Sequence, residues 1–225
     1  MGTWRWRRFA GCDDACADLL ADWPARGAPA TAELLKKGCV WAVGDVVIKT
    51  GSAARLRRSA AAWARLQPIP SPEPLMLGTS GARGILAMRR CPGVPLDGVW
   101  HDPVVRDAVS DLIAALLRRR IIHGDLSPQN LLWDGTRVWL IDLDGLRPRL
   151  HGLVWRRHLV LSWAWILYRL PSTELVRAAH QRCCETLGLG GTERRWKAVL
   201  TAERAIRAES QRRHPERKPR APLAK

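Results

Sequence analysis

The sequence has no apolar run long enough to cross a membrane as a helix. Its longest largely apolar stretch, Leu159 to Tyr168, is ten residues, whereas a spanning helix needs roughly 20. The amino terminus turns acidic at Asp13 and Asp14, where a secretory signal would need an apolar segment. We therefore expect the chain to stay in the cytoplasm.

Acidic residues are scarce, and cysteine patterns typical of zinc sites are missing. The chain has 21 Asp and Glu against 37 Lys and Arg, a formal charge of +16, which favours polyanionic partners such as nucleic acid, phosphorylated substrates or an anionic membrane. The six cysteines form no CxxC pair and have no histidine at ligand spacing, so they are expected to be reduced, structural thiols. A hydrophobic content of 47% excludes wholesale disorder.

Composition divides the chain into three segments. Residues 1–27 mix aromatic side chains with Arg5, Arg7 and Arg8, which predicts either an arm on a membrane or nucleic acid, or a packed extension. Residues 28–206 form the main domain. Residues 207–225 contain seven Lys and Arg, two Glu and three Pro, which predicts a disordered basic tail.

Helices and strands follow each other in a recognisable order. Two short strands are expected around Gly38 and Gly44, and Ser52 is placed to cap a helix. A second helix is expected over residues 102–120, before two short strands joined by a turn at residues 134–136. The chain beyond Arg156 has a helical pattern almost to Ala208.

The most informative stretch is His123-Gly124-Asp125-Leu126-Ser127-Pro128-Gln129-Asn130. It fits the kinase catalytic-loop pattern H-x-D-L-x-x-x-N at every fixed position. Asp142 follows in Ile141-Asp142-Leu143-Asp144-Gly145, and Val46-Val47-Ile48-Lys49 upstream is similar to the kinase strand V-A-I-K.

These residue types suit phosphoryl transfer, which depends on positioning and charge neutralisation. Asp125 is the expected catalytic residue, accepting or orienting the proton of the attacking hydroxyl. Asn130 and Asp142 are the expected Mg²⁺ ligands, because they supply hard oxygen atoms. Lys49 is expected to bind the α- and β-phosphates of ATP as a point charge. Asp144 is either a carboxylate that supports the metal site or a solvent-facing or capping residue.

On these motifs the chain resembles the kinase-like phosphotransferases, and most closely the bacterial lipopolysaccharide core (Kdo and heptose) kinases. The closer likeness lies in PIPSPEPLMLG, HGDLSPQNLLWDG, IDLDGLRPR and the Arg-rich helix that follows. The resemblance implies an α+β, compact two-lobed fold with a β-rich lobe over about 28–91, a mainly helical lobe over about 92–206, and nucleotide in the cleft.

The same resemblance implies the reaction and its place in the cell. The chain would be an ATP- and Mg²⁺-dependent kinase acting on a sugar hydroxyl of the lipid A–core glycolipid. It would work at the inner face of the inner membrane as a peripheral protein on the anionic surface. No nucleic-acid partner is expected.

Two departures from the protein kinases bear on the acceptor. No Asp or Glu occurs between Val46 and Pro72 to pair with Lys49, so Glu33, Glu73 or the nucleotide alone would have to orient it. Gly124 replaces the Arg of H-R-D, and no Ser, Thr or Tyr lies between Arg137 and Leu161 to be phosphorylated. These features favour a small-molecule or glycolipid acceptor over a regulated protein kinase.

Other interpretations stay open. The alternatives are a soluble small-molecule kinase of the aminoglycoside or choline type, a small atypical protein kinase, and an inactive kinase-fold scaffold. The arginines just past Asp142 are expected either to bind an anionic group of the acceptor or to form a solvated helix face. They are Arg147, Arg149, Arg156 and Arg157.

Overall fold

The computed structural model describes residues 3–36, 39–148, 154–170 and 172–213. The strands are β1 (Arg5–Arg8), β2 (Glu33–Lys36), β3 (Val40–Val43), β4 (Val46–Ser52), β5 (Pro74–Ser80), β6 (Arg83–Arg89), β7 (Val94–Pro95), β8 (Ile121–Ile122), β9 (Leu131–Trp133), β10 (Val138–Leu140) and β11 (Arg147–Pro148). The helices are α1 (Asp14–Arg26), α2 (Ala53–Leu66), α3 (Pro103–Arg118), α4 (Val154–Arg169), α5 (Thr173–Thr186) and α6 (Thr192–Arg213).

The chain divides into two compact units, and the first consists of Met1–Pro92 with Leu140–Asp144. Its sheet has the order β1-β5-β6-β4-β3-β2 and antiparallel pairing throughout. Three strands, rather than the expected two, lie between residues 31 and 52. The segment 140–144 joins this unit through a hydrogen bond from the Leu140 backbone N–H to the Pro70 carbonyl, 2.9 Å long.

Helix α2 begins where Ser52 predicts it. The Ser52 hydroxyl accepts a hydrogen bond from the Arg55 backbone N–H at 3.3 Å, which satisfies one of the unpaired donors of the first turn. Leu56 and Ala60 then pack against apolar residues of the sheet. This short connection places Lys49 on β4 and Arg55 on the first turn of α2.

The amino-terminal segment is a packed extension, one of its two expected arrangements. Strand β1 pairs with β5, and Trp4 and Trp6 stack on each other with ring centroids 5.7 Å apart. Both indoles pack against the core that contains Leu20 and Trp23 of α1. Arg5, Arg7 and Arg8 are exposed.

The second unit consists of Gly93–Trp139 with Gly145–Lys225 and holds helices α3 to α6. Asp102 caps α3, and the predicted hairpin turn joins β9 to β10. In that turn the Asp134 carboxylate accepts hydrogen bonds from the Trp139 indole and from the Thr136 and Arg137 backbone. The hydrogen bond from the Trp139 indole is the main reason why the pKa of the Asp134 carboxyl lies well below its usual range. The β-rich first unit and helical second unit confirm the expected α+β class.

The disordered tail was expected to begin at residue 207, but helix α6 extends past this point. The helix continues to Arg213, so residues 207–213 are helical, with Arg207 ion-paired to the buried Glu203. The rest of the predicted tail, 214–225, lies outside the described residues. Across the described stretches, no helix combines the length and the apolar character needed to traverse a bilayer.

His180 makes the helical core sensitive to acid. Its ring is 1% exposed and lies against Trp163 and Trp196, with ring centroids 5.9 and 5.5 Å away. Burial, followed by the charge of Arg195, lowers the pKa of His180 to about 4 from 6.5. Between those values the unfolded chain binds a proton that the folded chain does not, so stability falls as the pH drops from 6.5 towards 4.

We predict that replacing His180 by Phe removes this pH dependence. From pH 7 to pH 5 the wild-type protein should lose about 2 kcal/mol more unfolding free energy than His180→Phe, because each pKa unit corresponds to about 1.4 kcal/mol. Urea unfolding at both pH values measures the difference. His101→Gln, at an exposed histidine of the same unit, should leave the wild-type slope unchanged, and an equal slope in His180→Phe would contradict the assignment.

Candidate active site

Four charged side chains converge in the first unit. Lys49 Nζ lies 2.6 Å from Asp142 Oδ1 and 2.6 Å from Asp144 Oδ2. Arg55 Nε lies 2.9 Å from the same Oδ2 of Asp144. The structure therefore brings together two residues predicted from separate motifs, Lys49 and Asp142, and adds Asp144 and Arg55.

Burial makes the loss of a partner of Lys49 costly. The Lys49 side chain is 9% exposed, and that of Asp144 is 15% exposed. Removing one partner of a buried ion pair leaves a charge without compensation, which costs about 3–5 kcal/mol. Glu33 and Glu73, the expected substitutes for the absent helix glutamate, pair instead with Arg90 and Arg89.

The contribution of α2 to this cluster is a cation, not the carboxylate that protein kinases place on their helix. Ser59, about where the sequence would put such a glutamate opposite Lys49, is buried on α2. Arg55, one turn earlier, reaches the loop through Asp144. Sequence reasoning missed Arg55, although the absence of acidic residues on α2 beside two aspartates in the IDLD segment was a signal for it.

The backbone at Asp142 is held in an unusual conformation. Its φ is +58°, in the left-handed region that only glycine, Asn and Asp adopt readily. Such conformations persist where the surrounding structure determines them, and they concentrate at functional sites.

The aspartates of this loop fit a magnesium ion. Among the described residues, nothing donates a hydrogen bond to Oδ1 of Asp144, which is buried. A buried carboxylate oxygen without a donor is unfavourable unless a cation or water reaches it. Mg²⁺ prefers carboxylate oxygens from one or two residues together with substrate phosphates. Asp142 and Asp144 are thus suited to hold it.

In the second unit, the loop from His123 to Asn130 is organised around the backbone carbonyl of Asp125. His123 Nδ1 lies 2.8 Å from that carbonyl, and Asn130 Nδ2 donates to it at 3.0 Å. His123 is 2% exposed, which agrees with a packed structural histidine. The Asp125 side chain is exposed and accepts from the Ser127 N–H at 3.3 Å. The amide nitrogen of Asn130 is used inside the loop, so a metal ion would have to bind its amide oxygen.

Gly124 explains the departure from the H-R-D motif. Its φ is +85°, and a Cβ there would lie 3.1 Å from the Gly145 carbonyl oxygen. A Cβ on Gly145 would lie 2.7 Å from the carbonyl oxygen of His123. The two backbones approach so closely that an arginine at position 124 would strain the conformation and crowd Gly145.

The remaining candidates fall in separate places. Arg147 lies in β11, and Arg156 and Arg157 lie on the first turn of α4. Gly44 forms the β3–β4 turn with φ +58°. Gly38 and Arg149 lie outside the described residues.

The fold is that of the kinases. A structure of the aminoglycoside phosphotransferase APH(3'')-Id from Streptomyces rimosus in complex with ADP and streptomycin matches with a TM-score of 0.55 and 15% identity. The match covers 83% of this chain and 98% of that one. A second structure of the same enzyme gives a TM-score of 0.54. The expected kinase-like class is confirmed.

A family model matches part of the chain. Residues 64–146 match the model of the RIO domain, a range that includes Asp125, Asn130 and Asp142 but not Lys49. No curated protein matches the sequence.

The structure of WbdD, described as a bifunctional kinase-methyltransferase, also matches. Its TM-score is 0.47 at 15% identity, over 72% of this chain. The chain spans about half the length of the WbdD structures, 47% in one and 51% in the other.

Proposed function

We propose that this chain is an ATP- and Mg²⁺-dependent phosphotransferase with an alcohol group as acceptor. The observation that carries the proposal is the meeting of Lys49 with Asp142. These residues come from two kinase motifs 93 positions apart in the sequence. Their side chains lie 2.6 Å from each other, with that of Lys49 buried and that of Asp142 partly exposed. If Lys49 were an ordinary surface lysine and Asp142 an ordinary capping residue, their side chains would not be expected to pair.

Each residue has a distinct role in the proposed reaction. Bound ATP with Mg²⁺ supplies the phosphoryl group and neutralises the charge on its oxygens. Lys49 binds the α- and β-phosphates, and Asn130 and Asp142 hold the metal ion. Asp144 pairs with Lys49. Asp125 accepts the hydroxyl proton at its exposed carboxylate, which makes the oxygen nucleophilic.

The acceptor we propose is a sugar hydroxyl, Kdo or heptose, of the lipid A–core glycolipid. The motif likeness to the lipopolysaccharide core kinases supports it, as do the lack of Ser, Thr and Tyr between Arg137 and Leu161 and the glycine requirement at position 124. We further propose that the basic chain works as a peripheral protein on the anionic inner face of the inner membrane.

A soluble small-molecule kinase is the second candidate. The fold similarity to an aminoglycoside phosphotransferase bound to ADP and streptomycin favours it, with 98% of that enzyme covered. Both candidates use the same catalytic residues and differ only in the acceptor.

Transfer of radiolabelled phosphate from ATP separates these candidates. The purified chain is given lipid A–core in anionic vesicles, streptomycin, or a generic protein substrate, with the Asp125→Asn chain as the blank. We expect incorporation into the glycolipid, decreasing as salt screens the vesicle surface. Transfer to streptomycin alone would establish the second candidate, and transfer to protein an atypical protein kinase. Nucleotide binding without transfer to any acceptor would favour the scaffold.

A further inference from the structure

A groove between α4 and α6, lined by residues along α4 and along the second half of α6, takes no part in the proposed reaction. Its volume is about 910 Å³, within the range of pockets that hold small organic ligands. Apolar side chains line much of it: Val160, Leu161, Trp165, Ala202, Ala205 and Ile206. We define these residues and the charged ones around them as the α4–α6 groove.

The charged part of the groove is strongly basic. Four arginines, Arg156, Arg157, Arg169 and Arg213, line it together with a single acidic residue, Glu209. Glu209 pairs within its own helix, because Arg213 Nε donates to its carboxylate at 2.6 Å and Arg212 bonds the other oxygen. This pairing offsets the charge of Arg213, so Arg156, Arg157 and Arg169 carry the excess positive charge of the groove. An apolar channel with a basic border is complementary to a molecule with a hydrocarbon chain and an anionic head.

Three other occupants of the groove are conceivable, and charge or geometry argues against each. Residues 214–225 contain four Lys and Arg against one Glu, so the arginines would repel this segment. In a two-fold dimer the same arginines of both copies would face each other. Single-stranded nucleic acid needs an open aromatic surface on which bases stack, whereas Trp165 and Tyr168 pack edge to face, with centroids 5.9 Å apart.

We propose that the α4–α6 groove binds the acyl chain of an anionic membrane lipid, with the arginines on its phosphate head group. Guanidinium groups bind phosphate in a bidentate manner, and a buried alkyl chain gains affinity with each methylene. The proposal goes beyond the phosphotransfer reaction and does not depend on it, because binding requires neither ATP nor the catalytic residues.

The test is calorimetric titration of the full chain with dodecyl phosphate below its micellar concentration. We expect the wild type to bind dodecyl phosphate. Its affinity for decyl phosphate should be lower, by up to about fourfold for each of the two missing methylenes. Dodecyltrimethylammonium, with the same chain and opposite charge, and inorganic phosphate, with the charge and no chain, should not bind.

Matched variants locate the binding. Ala205→Trp should fill the groove and weaken binding at least about tenfold, whereas Ala208→Trp, exposed on the same helix and outside the groove, should not. Arg156→Gln with Arg157→Gln should weaken it about tenfold, and Arg204→Gln, outside the groove, should have no effect. Thermal unfolding shows whether each variant is folded.

Trp165 is unsuitable for substitution because it also lines a cavity of about 80 Å³ beside His123 and Gly124.

Several results would overturn the proposal. The proposal is wrong if the wild type does not bind dodecyl phosphate, or if the two tryptophan variants bind it equally. It is also wrong if inorganic phosphate binds as tightly as dodecyl phosphate. Self-association or RNA binding that Ala205→Trp abolishes, without dodecyl phosphate binding, would assign the groove to a second copy or to nucleic acid instead. Lipid binding in a chain that transfers no phosphate would leave this proposal standing and remove only the proposed function.

Discussion

Asp125→Asn should bind ATP and Mg²⁺ as the wild type does, while phosphoryl transfer falls by about 10²–10⁴-fold, the range typical of lost general acid–base catalysis. Asn keeps the size of the side chain and can still accept from the Ser127 N–H, so the turn is preserved. The backbone carbonyl that His123 and Asn130 contact is unchanged. Only the proton acceptor is removed.

The measurement is paired. Calorimetry gives the affinity for ATP with Mg²⁺, and radiolabel incorporation gives the transfer rate on the same protein. Asp97→Asn is the control, because Asp97 is an exposed aspartate of the same unit. Wild-type protein that binds no nucleotide would defeat the kinase assignment. An Asp125→Asn protein as active as the wild type would show that another group accepts the proton.

Local signals in the sequence predicted the elements that depend on nearby residues. The starts of α2 and α3 follow from Ser52 and Asp102, which satisfy N–H groups of the first turn by themselves. The β9–β10 hairpin follows from Asp134, whose carboxylate accepts hydrogen bonds from Thr136 in the turn and from Trp139 on β10. In each case the residue that determines the structure lies within five positions of what it determines.

Two strands that depend on distant pairing, β1 and β5, were not predicted as strands. Strand β1 forms because Arg5 to Arg8 find a partner in β5, about 70 residues later. Its alternation of Trp and Arg is also compatible with an arm on a polyanion, and no local feature decides between the two. The same holds for β5, which follows a proline-rich connector and gains its pairing from both β1 and β6.

The candidate site shows the same division. Lys49 and Asp142 were predicted because each lies in its own motif, and they meet in the structure. Arg55 was missed because its partner, Asp144, lies 89 positions away and no motif joins them. The charge pattern explains the outcome. Two aspartates close to one buried lysine leave a negative charge, and a helix without acidic residues supplies the second cation.

Asp142→Asn should lower Mg²⁺-dependent ATP turnover by at least about 10²-fold. Even residues that only support a metal ligand typically contribute 10–100-fold to affinity or activity, and Asp142 is a proposed ligand itself. Asn is the appropriate replacement because position 142 has φ +58°, which Asn tolerates and Ala does not. The loss should therefore report on the missing charge and not on a misfolded loop.

Turnover measured over a series of Mg²⁺ concentrations tests this, with Asp22→Asn as the control at an exposed aspartate of the same unit. A wild-type response in Asp142→Asn would remove the metal assignment.

Asp144→Asn then separates two roles for the second carboxylate. If its buried Oδ1 contacts the ion, the Mg²⁺ requirement should shift as it does for Asp142→Asn. If Asp144 only joins Arg55 to Lys49, the Mg²⁺ requirement should stay while the KM for ATP rises, because Lys49 would lose one of its two carboxylate partners.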